Sequence, residues 1–146
     1  MGKVKRLIEE KGQAIYSVHP GTTVWDAVTA MAEQHIGAVL VIENKQLVGI
    51  FSERDLLVRV ILAGLDPKTA LVKAVMTTDM VYVTADTSVS EAMAVMTQRR
   101  CRHLPVMEEQ ELKGMVSIGD CTRWFSRDQD YTIRHLQEYI HGKYPA

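Results

Sequence analysis

The chain is predicted to be an α/β (α+β) protein made of two tandem β-α-β-β-α repeats. Three observations predict this. A shift of 65 residues overlays the sequence on itself without a gap. Each copy switches between strand-like and helix-like apolar spacing in the same order. Each copy also carries the same helix-start residues at the same offsets. Duplication fixes architecture before any single residue is read. Two copies make a pseudo-twofold pair, not a solenoid.

The overlay places Val18 on Val83, Thr22 on Thr87, Val24 on Val89, Ala27 on Ala92 and Met31 on Met96. It continues with Val41 on Val106, Glu43 on Glu108, Leu47 on Leu112, Gly49 on Gly114, Ser52 on Ser117 and Asp55 on Asp120. Each copy opens with a short extended stretch, Ile15 to Val18 or Met80 to Val83. Thr22-Thr23 or Thr87-Ser88 then caps a helix, with Asp26 or Glu91 three residues on, as in a capping box. Val24, Ala27, Val28 and Met31 follow at helical spacing, and so do Val89, Ala92, Met93 and Met96. A buried strand comes next, Ala38 to Ile42 or Leu104 to Met107. A four-residue polar turn, Glu43 to Gln46 or Glu108 to Glu111, leads to a third strand through Gly49 or Gly114. Ser-x-x-Asp then opens a second helix. Asp66-Pro67 is expected to start a short linking helix running to Val75-Met76-Thr77. The divisions are 1–11, an N-terminal amphipathic helix stopped by Gly12; 12–65, repeat one; 66–76, linker; 77–126, repeat two; and 127–146, a C-terminal helix over 131–140 with a tail.

Bulk properties narrow the function classes. Net charge is −1, which argues against an electrostatically driven nucleic-acid binder. No apolar run approaches the roughly 18–20 residues that span a bilayer. The first ten residues alternate charge too quickly for a secretory signal, and Arg6 stands where a myristoylation signal has Ser or Thr. Cys101 and Cys121 have no partner at redox or metal spacing, as expected of buried thiols in a reducing cytosol. The expected location is cytoplasmic. His19, His35, His135 and His141 lack ligand spacing, so no metal is expected. No P-loop, G-x-G-x-x-G, H-E-x-x-H or G-x-S-x-G occurs, and the chain is not expected to be an enzyme or to hold a catalytic cofactor.

Two segments carry the remaining chemistry: Gly49-Ile50-Phe51-Ser52-Glu53-Arg54-Asp55 and Gly114-Met115-Val116-Ser117-Ile118-Gly119-Asp120. Ser-x-x-Asp before an apolar run is a helix capping box. The same position offers free N–H groups and a positive dipole end to a phosphate. Both readings stand at this point.

The two Gly-h-h-Ser-x-x-Asp segments (h apolar), Val75-Met76-Thr77 in the linker and Arg102-His103-Leu104-Pro105-Val106 in copy two together resemble a cystathionine-β-synthase (CBS) domain pair, a Bateman module, over about residues 12 to 125. The resemblance implies a soluble regulatory module that binds an adenosyl ligand (AMP, ADP, ATP or NAD) and passes occupancy on through homodimer packing. It implies ribose contacts at Asp55 and Asp120, with Ser52 and Ser117 near the ribose-phosphate. Arg54, by its position between Ser52 and Asp55, reads either as a phosphate contact or as a solvated helix-start cation. Arg102 and His103 are implied phosphate contacts. Their copy-one counterparts, Gly37 and Ala38, cannot serve, so the clefts should differ, and the cleft of Asp55 should receive the pair. Adenine is expected near Ile15 and Met80. Arg99 and Arg100 read as helix-end cations, and Trp25 as a half-buried residue or a subunit contact. The competing function is a ligand-independent interaction subunit. Retention of Gly49 and Gly114 beside both caps counts against that alternative. The downstream target, a regulated enzyme or transporter, is not legible.

Overall fold

The computed structural model describes residues 2–11 and 15–126. The expected stop at Gly12 and the C-terminal helix lie outside these residues, as do His135 and His141. Helix α1 spans Val4–Lys11, strand β1 Ser17–Val18, α2 Val24–Gln34, β2 Ala38–Glu43, β3 Gln46–Ser52 and α3 Glu53–Asp55. Helix α3 runs on as a π-helical segment, Leu56–Ile61, before α4, Val72–Val75. Repeat two supplies α5 Val89–Arg99, β4 His103–Glu108, β5 Glu111–Ser117 and α6 Ile118–Ser126.

Repeat one forms a three-stranded sheet in the order β1-β2-β3, with β1 parallel to β2 and β2 antiparallel to β3. Repeat two keeps only the β4-β5 hairpin as sheet. The extended stretch expected at Met80 to Val83 shrinks to one parallel bridge, Val83 to Val106. Val83 still donates to Pro105 and accepts from Met107, so the segment lies where a first strand would.

Both hairpins turn tighter than expected. Asn44-Lys45 and Glu109-Gln110 alone close them, and all four residues have positive φ, from 49° to 66°. Two left-handed residues in succession make the turn whose twist matches the strands. A bulge follows in each, between Val41 and Ile42 and between Val106 and Met107 in register.

Helix starts follow the expected caps. Thr23 Oγ1 accepts from Asp26 N at 3.2 Å, and Ser88 Oγ accepts from Glu91 N at 3.0 Å. The linker departs from expectation. Asp66-Pro67 makes a turn, with Asp66 O accepting from Thr69 N and Ala70 N, and the helix begins only at Val72.

The core divides in two. One cluster joins Val24, Ala27, Met31, Val39, Val41, Phe51, Val60, Val72 and Val75. The other joins Val4, Leu7, Val83, Val89, Ala92, Met96, Leu104, Val106, Val116 and Cys121. Helix α1 therefore packs on repeat two, as α4 packs on repeat one. Gly49 serves this packing. A side chain on Gly49 would meet Met76 Sδ at 2.6 Å, and one on Gly114 would meet Ile8 at 3.4 Å. Close packing thus explains Gly49, whereas a side chain at Gly114 would make only ordinary contact with Ile8.

Candidate ligand cleft

Both Ser-x-x-Asp segments are full reciprocal caps. Ser52 N donates to Asp55 Oδ2 at 2.9 Å and Ser52 Oγ accepts from Asp55 N at 3.3 Å. Ser117 N donates to Asp120 Oδ2 at 2.8 Å and Ser117 Oγ accepts from Asp120 N at 3.0 Å. Capping occupies part of each carboxylate, so what reaches the remainder decides what each aspartate can do.

Around Asp55 the further donors are mostly neutral. Thr77 Oγ1 donates to Oδ1 at 2.9 Å, and Ser52 Oγ to Oδ2 at 3.1 Å. Arg59 Nε stands 3.7 Å from Oδ1, while its Nη1 donates to Met76 O at 2.9 Å. Around Asp120 the further donors are cations. Lys11 Nζ donates to Oδ2 at 3.0 Å and Arg123 Nη2 to Oδ1 at 2.6 Å. Burial raises the Asp120 pKa, but the Ser117 N–H and Lys11 outweigh it and hold the carboxyl below its ordinary value.

Asp55 lines a cleft of about 920 Å³ between the repeats, a size typical of sites for drug-sized ligands. Ser52, Arg54, Met80, Arg102 and His103 share its wall. Ser117, Asp120 and Ile15 are not among its lining residues; Ile118, next to Ser117, is. Arg102 and His103 therefore meet Asp55 across the repeats. Within each repeat the corner facing the cleft is fixed by backbone. Gly37 O accepts from Glu53 N at 3.0 Å, and Arg102 O accepts from Ile118 N at 2.8 Å, which ties each helix start to the residue leading into its own repeat's second strand. A side chain at Gly37 would run into Glu53 and crowd His103, so Gly37 keeps this corner open.

Sequence reasoning passed over four residues of this neighbourhood. Arg99 and Arg100 end α5, yet both line the cleft. Arg100 sits at φ 55° and its N–H caps Met96 O, which turns the chain toward the cleft. Arg59 stands four residues after Asp55, a spacing that could have paired them. Thr77, the last residue of Val75-Met76-Thr77, reaches Asp55 across 22 residues. Five cleft arginines (54, 59, 99, 100, 102) face three carboxylates (Glu53, Asp55, Asp79). The local balance is positive although the chain as a whole is not. Burial first, then Lys11, depress the His103 pKa below 6.5, against the pull of Glu53 and Asp120. His103 thus lies in this cleft with its proton easily lost.

Two other titratable groups are quiet. Burial and Asp120 push the Cys121 thiol up to about 11, and burial raises Cys101. Neither is a thiolate at neutral pH. Among the described residues no group of three or more His, Cys, Asp or Glu could hold a metal ion, and no helix is long and apolar enough to cross a membrane.

The CBS domain model matches residues 12–61 and 72–127. The chain belongs to the CBS domain family. The CBS domain-containing protein CBSX3, mitochondrial, of Arabidopsis thaliana is 39% identical over 127 residues, covering 84% of this chain and 62% of CBSX3. The chain spans less than two thirds of that relative, and only 20% of the Arabidopsis protein CBSCBSPB2, to which it is 40% identical over 106 residues. A protein with CBS domains from Burkholderia ambifaria superposes with TM-score 0.84 at 38% identity, covering 87% of this chain and 96% of that one. The CBS pair of MJ0100, solved with 5′-methylthioadenosine and S-adenosyl-L-methionine, shares the fold at TM-score 0.76 and 18% identity. The two CBS repeats thus form the tandem pair that the 65-residue overlay predicted.

Proposed function

We propose that this CBS pair is a sensor of phosphorylated adenosyl compounds, and that its ligand occupies the cleft between Asp55 and the Arg99–His103 segment. The observation that carries this reading is the meeting of a ribose-competent carboxylate with an excess of cations in one cavity. Asp55 accepts the ribose hydroxyls, exchanging the weaker donors Thr77 and Ser52 for the diol. Arg102, Arg100 and Arg99 take the phosphates, with Arg54 at the helix start beside them. Met80 and Val81 form an apolar wall suited to the adenine ring. MJ0100 holds uncharged or cationic adenosyl compounds; the arginine excess here favours AMP, ADP, ATP or NAD.

The output of such a sensor is a change in subunit packing. Leu57, Val58, Ile61, Leu62 and Leu65 are all exposed, Leu62 at 80%, on or just after the π-helical segment that follows Asp55. An apolar face of this kind seeks a partner. We assign it to a homodimer contact. Trp25, expected to line that contact, is 51% exposed and carries the Lys68 ammonium 4.9 Å over its ring. Leu57 and Val58 also line the cleft, so ligand and partner touch one element. Ligand shifts the packing by binding one arrangement more tightly. Cytoplasmic residence, the lack of catalysis and control of a separate target protein belong to the same proposal.

Thermal unfolding in the presence of ADP, ATP, AMP and NAD, against GDP and UDP, tests the reading. Adenosyl compounds should raise the midpoint and the others should do so far less, since phosphate contacts are blind to the base. Equal shifts for ADP and GDP would refute adenosine selectivity.

A further inference from the structure

The two repeats differ in what reaches the carboxylate. In repeat one, Thr77 N donates to Ile50 O at 2.8 Å and Thr77 Oγ1 donates to Asp55. In repeat two, Met115 stands where Ile50 stands, and Lys11 performs both tasks. Its Nζ donates to Met115 O at 3.1 Å and to Asp120 Oδ2 at 3.0 Å. The reason lies in helix length. Helix α4 ends at Val75, and the chain continues extended into the Thr77–Ile50 bridge. Helix α1 has the same buried i, i+3 pair, Val4 and Leu7 against Val72 and Val75, but runs on to Lys11. The extra turn delivers an ammonium where repeat one delivers a hydroxyl.

A cation at a helix C-terminus ordinarily faces solvent and the dipole. This one, its side chain 38% exposed, reaches a carboxylate whose side chain is 8% exposed. Arg123 holds the other oxygen. Hydrogen bonds between ions are roughly twice as strong as neutral ones, so a ribose diol must displace more here than at Asp55.

We infer that the chain itself occupies the ribose-acceptor position of repeat two: Lys11 is a tethered internal ligand on Asp120, and the protein binds one nucleotide per chain, at Asp55. The expectation that Asp120 serves as a second ribose acceptor is replaced by a staple that pins α1 to repeat two. This rests on the nucleotide reading of the Asp55 cleft, which fixes where the single ligand goes.

Calorimetric titration with ADP tests it in the full chain, using wild type, Asp55→Ala, Lys11→Met and Lys11→Met/Asp55→Ala. Wild type should bind one ADP per chain, and Asp55→Ala should bind it roughly 10- to 150-fold more weakly. Lys11→Met should bind two, and the double variant should keep one. Two ADP per wild-type chain would overturn the inference while leaving the nucleotide reading intact. A single ADP in Lys11→Met would also overturn it, because Lys11 would not then be what blocks that position. If neither wild type nor Lys11→Met binds ADP, the nucleotide reading fails. The Asp120 carboxyl carbon resonance then decides the pairing. Its titration should move to higher pH in Lys11→Met, and an unmoved midpoint would sink the internal-ligand assignment.

Discussion

His103 opens β4 between the Asp55 cleft and Lys11. Its depressed pKa means that the unfolded chain binds the proton more readily than the folded one. Stability from the neutral ring is therefore present above pH 6.5, the ordinary value, and is lost as pH falls through the folded value. A bound phosphate reverses the local bias and favours the imidazolium. Binding of ADP should therefore move the His103 titration to higher pH, followed at its own imidazole resonances; an unmoved His103 midpoint would place the phosphates elsewhere. At this scale the sequence was informative where contacts are local. Ser52 with Asp55 and Ser117 with Asp120 are three apart, and their caps were legible. Thr77 reaches Asp55 across 22 residues, and Lys11 reaches Asp120 across 109. Such partners depend on how helices cross the sheets, which residue types alone do not encode.

Among elements, repetition was legible and its failures were not. The hairpins carry no Asn-Gly or Asp-Gly pair, so Asn44-Lys45 and Glu109-Gln110 gave no sign of left-handed turns. The first strand of repeat two shrinks to a single bridge although Val83 matches Val18. The π-helical segment Leu56–Ile61 has no counterpart in α6. Such segments recur at functional sites because one added residue re-aims the side chains beyond it. Here it leaves Leu57, Val58 and Ile61 outward while Val60 stays fully buried. Leu62→Glu places a charge on an 80% exposed position, so the monomer fold should lose less than about 0.5 kcal/mol. Buried in a subunit contact, the same carboxylate should break it. Sedimentation at micromolar concentration should show a wild-type dimer and a Leu62→Glu monomer; an unchanged species would move the contact off this face.

For the molecule as a whole, α1 and α4 exchange the simple order of the repeats. Val4 and Leu7 are buried on repeat two, and Val72 and Val75 on repeat one. Burying a Val or Leu side chain is worth about 1.5–3 kcal/mol, a large share of the stability of so small a unit. A fragment of residues 1–66 keeps α1 without its repeat and repeat one without α4. It should melt without a cooperative transition when followed by circular dichroism. The tandem architecture was legible because duplication constrains every element at once; the placement of α1 was not, because its apolar face fits either repeat by composition. The positive cleft was equally hidden. Its arginines come from α3, the π-helical segment, the end of α5 and the connection from α5 to β4, and only the pseudo-twofold packing gathers them.

Titration of adenosine and ADP against wild type, Asp55→Ala and Arg102→Ala is the most direct test of a ribose carboxylate facing a phosphate cluster. Charge-assisted hydrogen bonds of about 1.5–3 kcal/mol correspond to a loss of roughly 10- to 150-fold. Asp55→Ala should weaken both ligands alike by that factor, and Arg102→Ala should weaken ADP far more than adenosine. Unfolding of each variant separates this from the cap, whose removal costs about 1 kcal/mol of stability. Wild-type affinity in an Asp55→Ala protein that is merely less stable would contradict the ribose assignment and leave Ser52-Asp55 as a capping box alone.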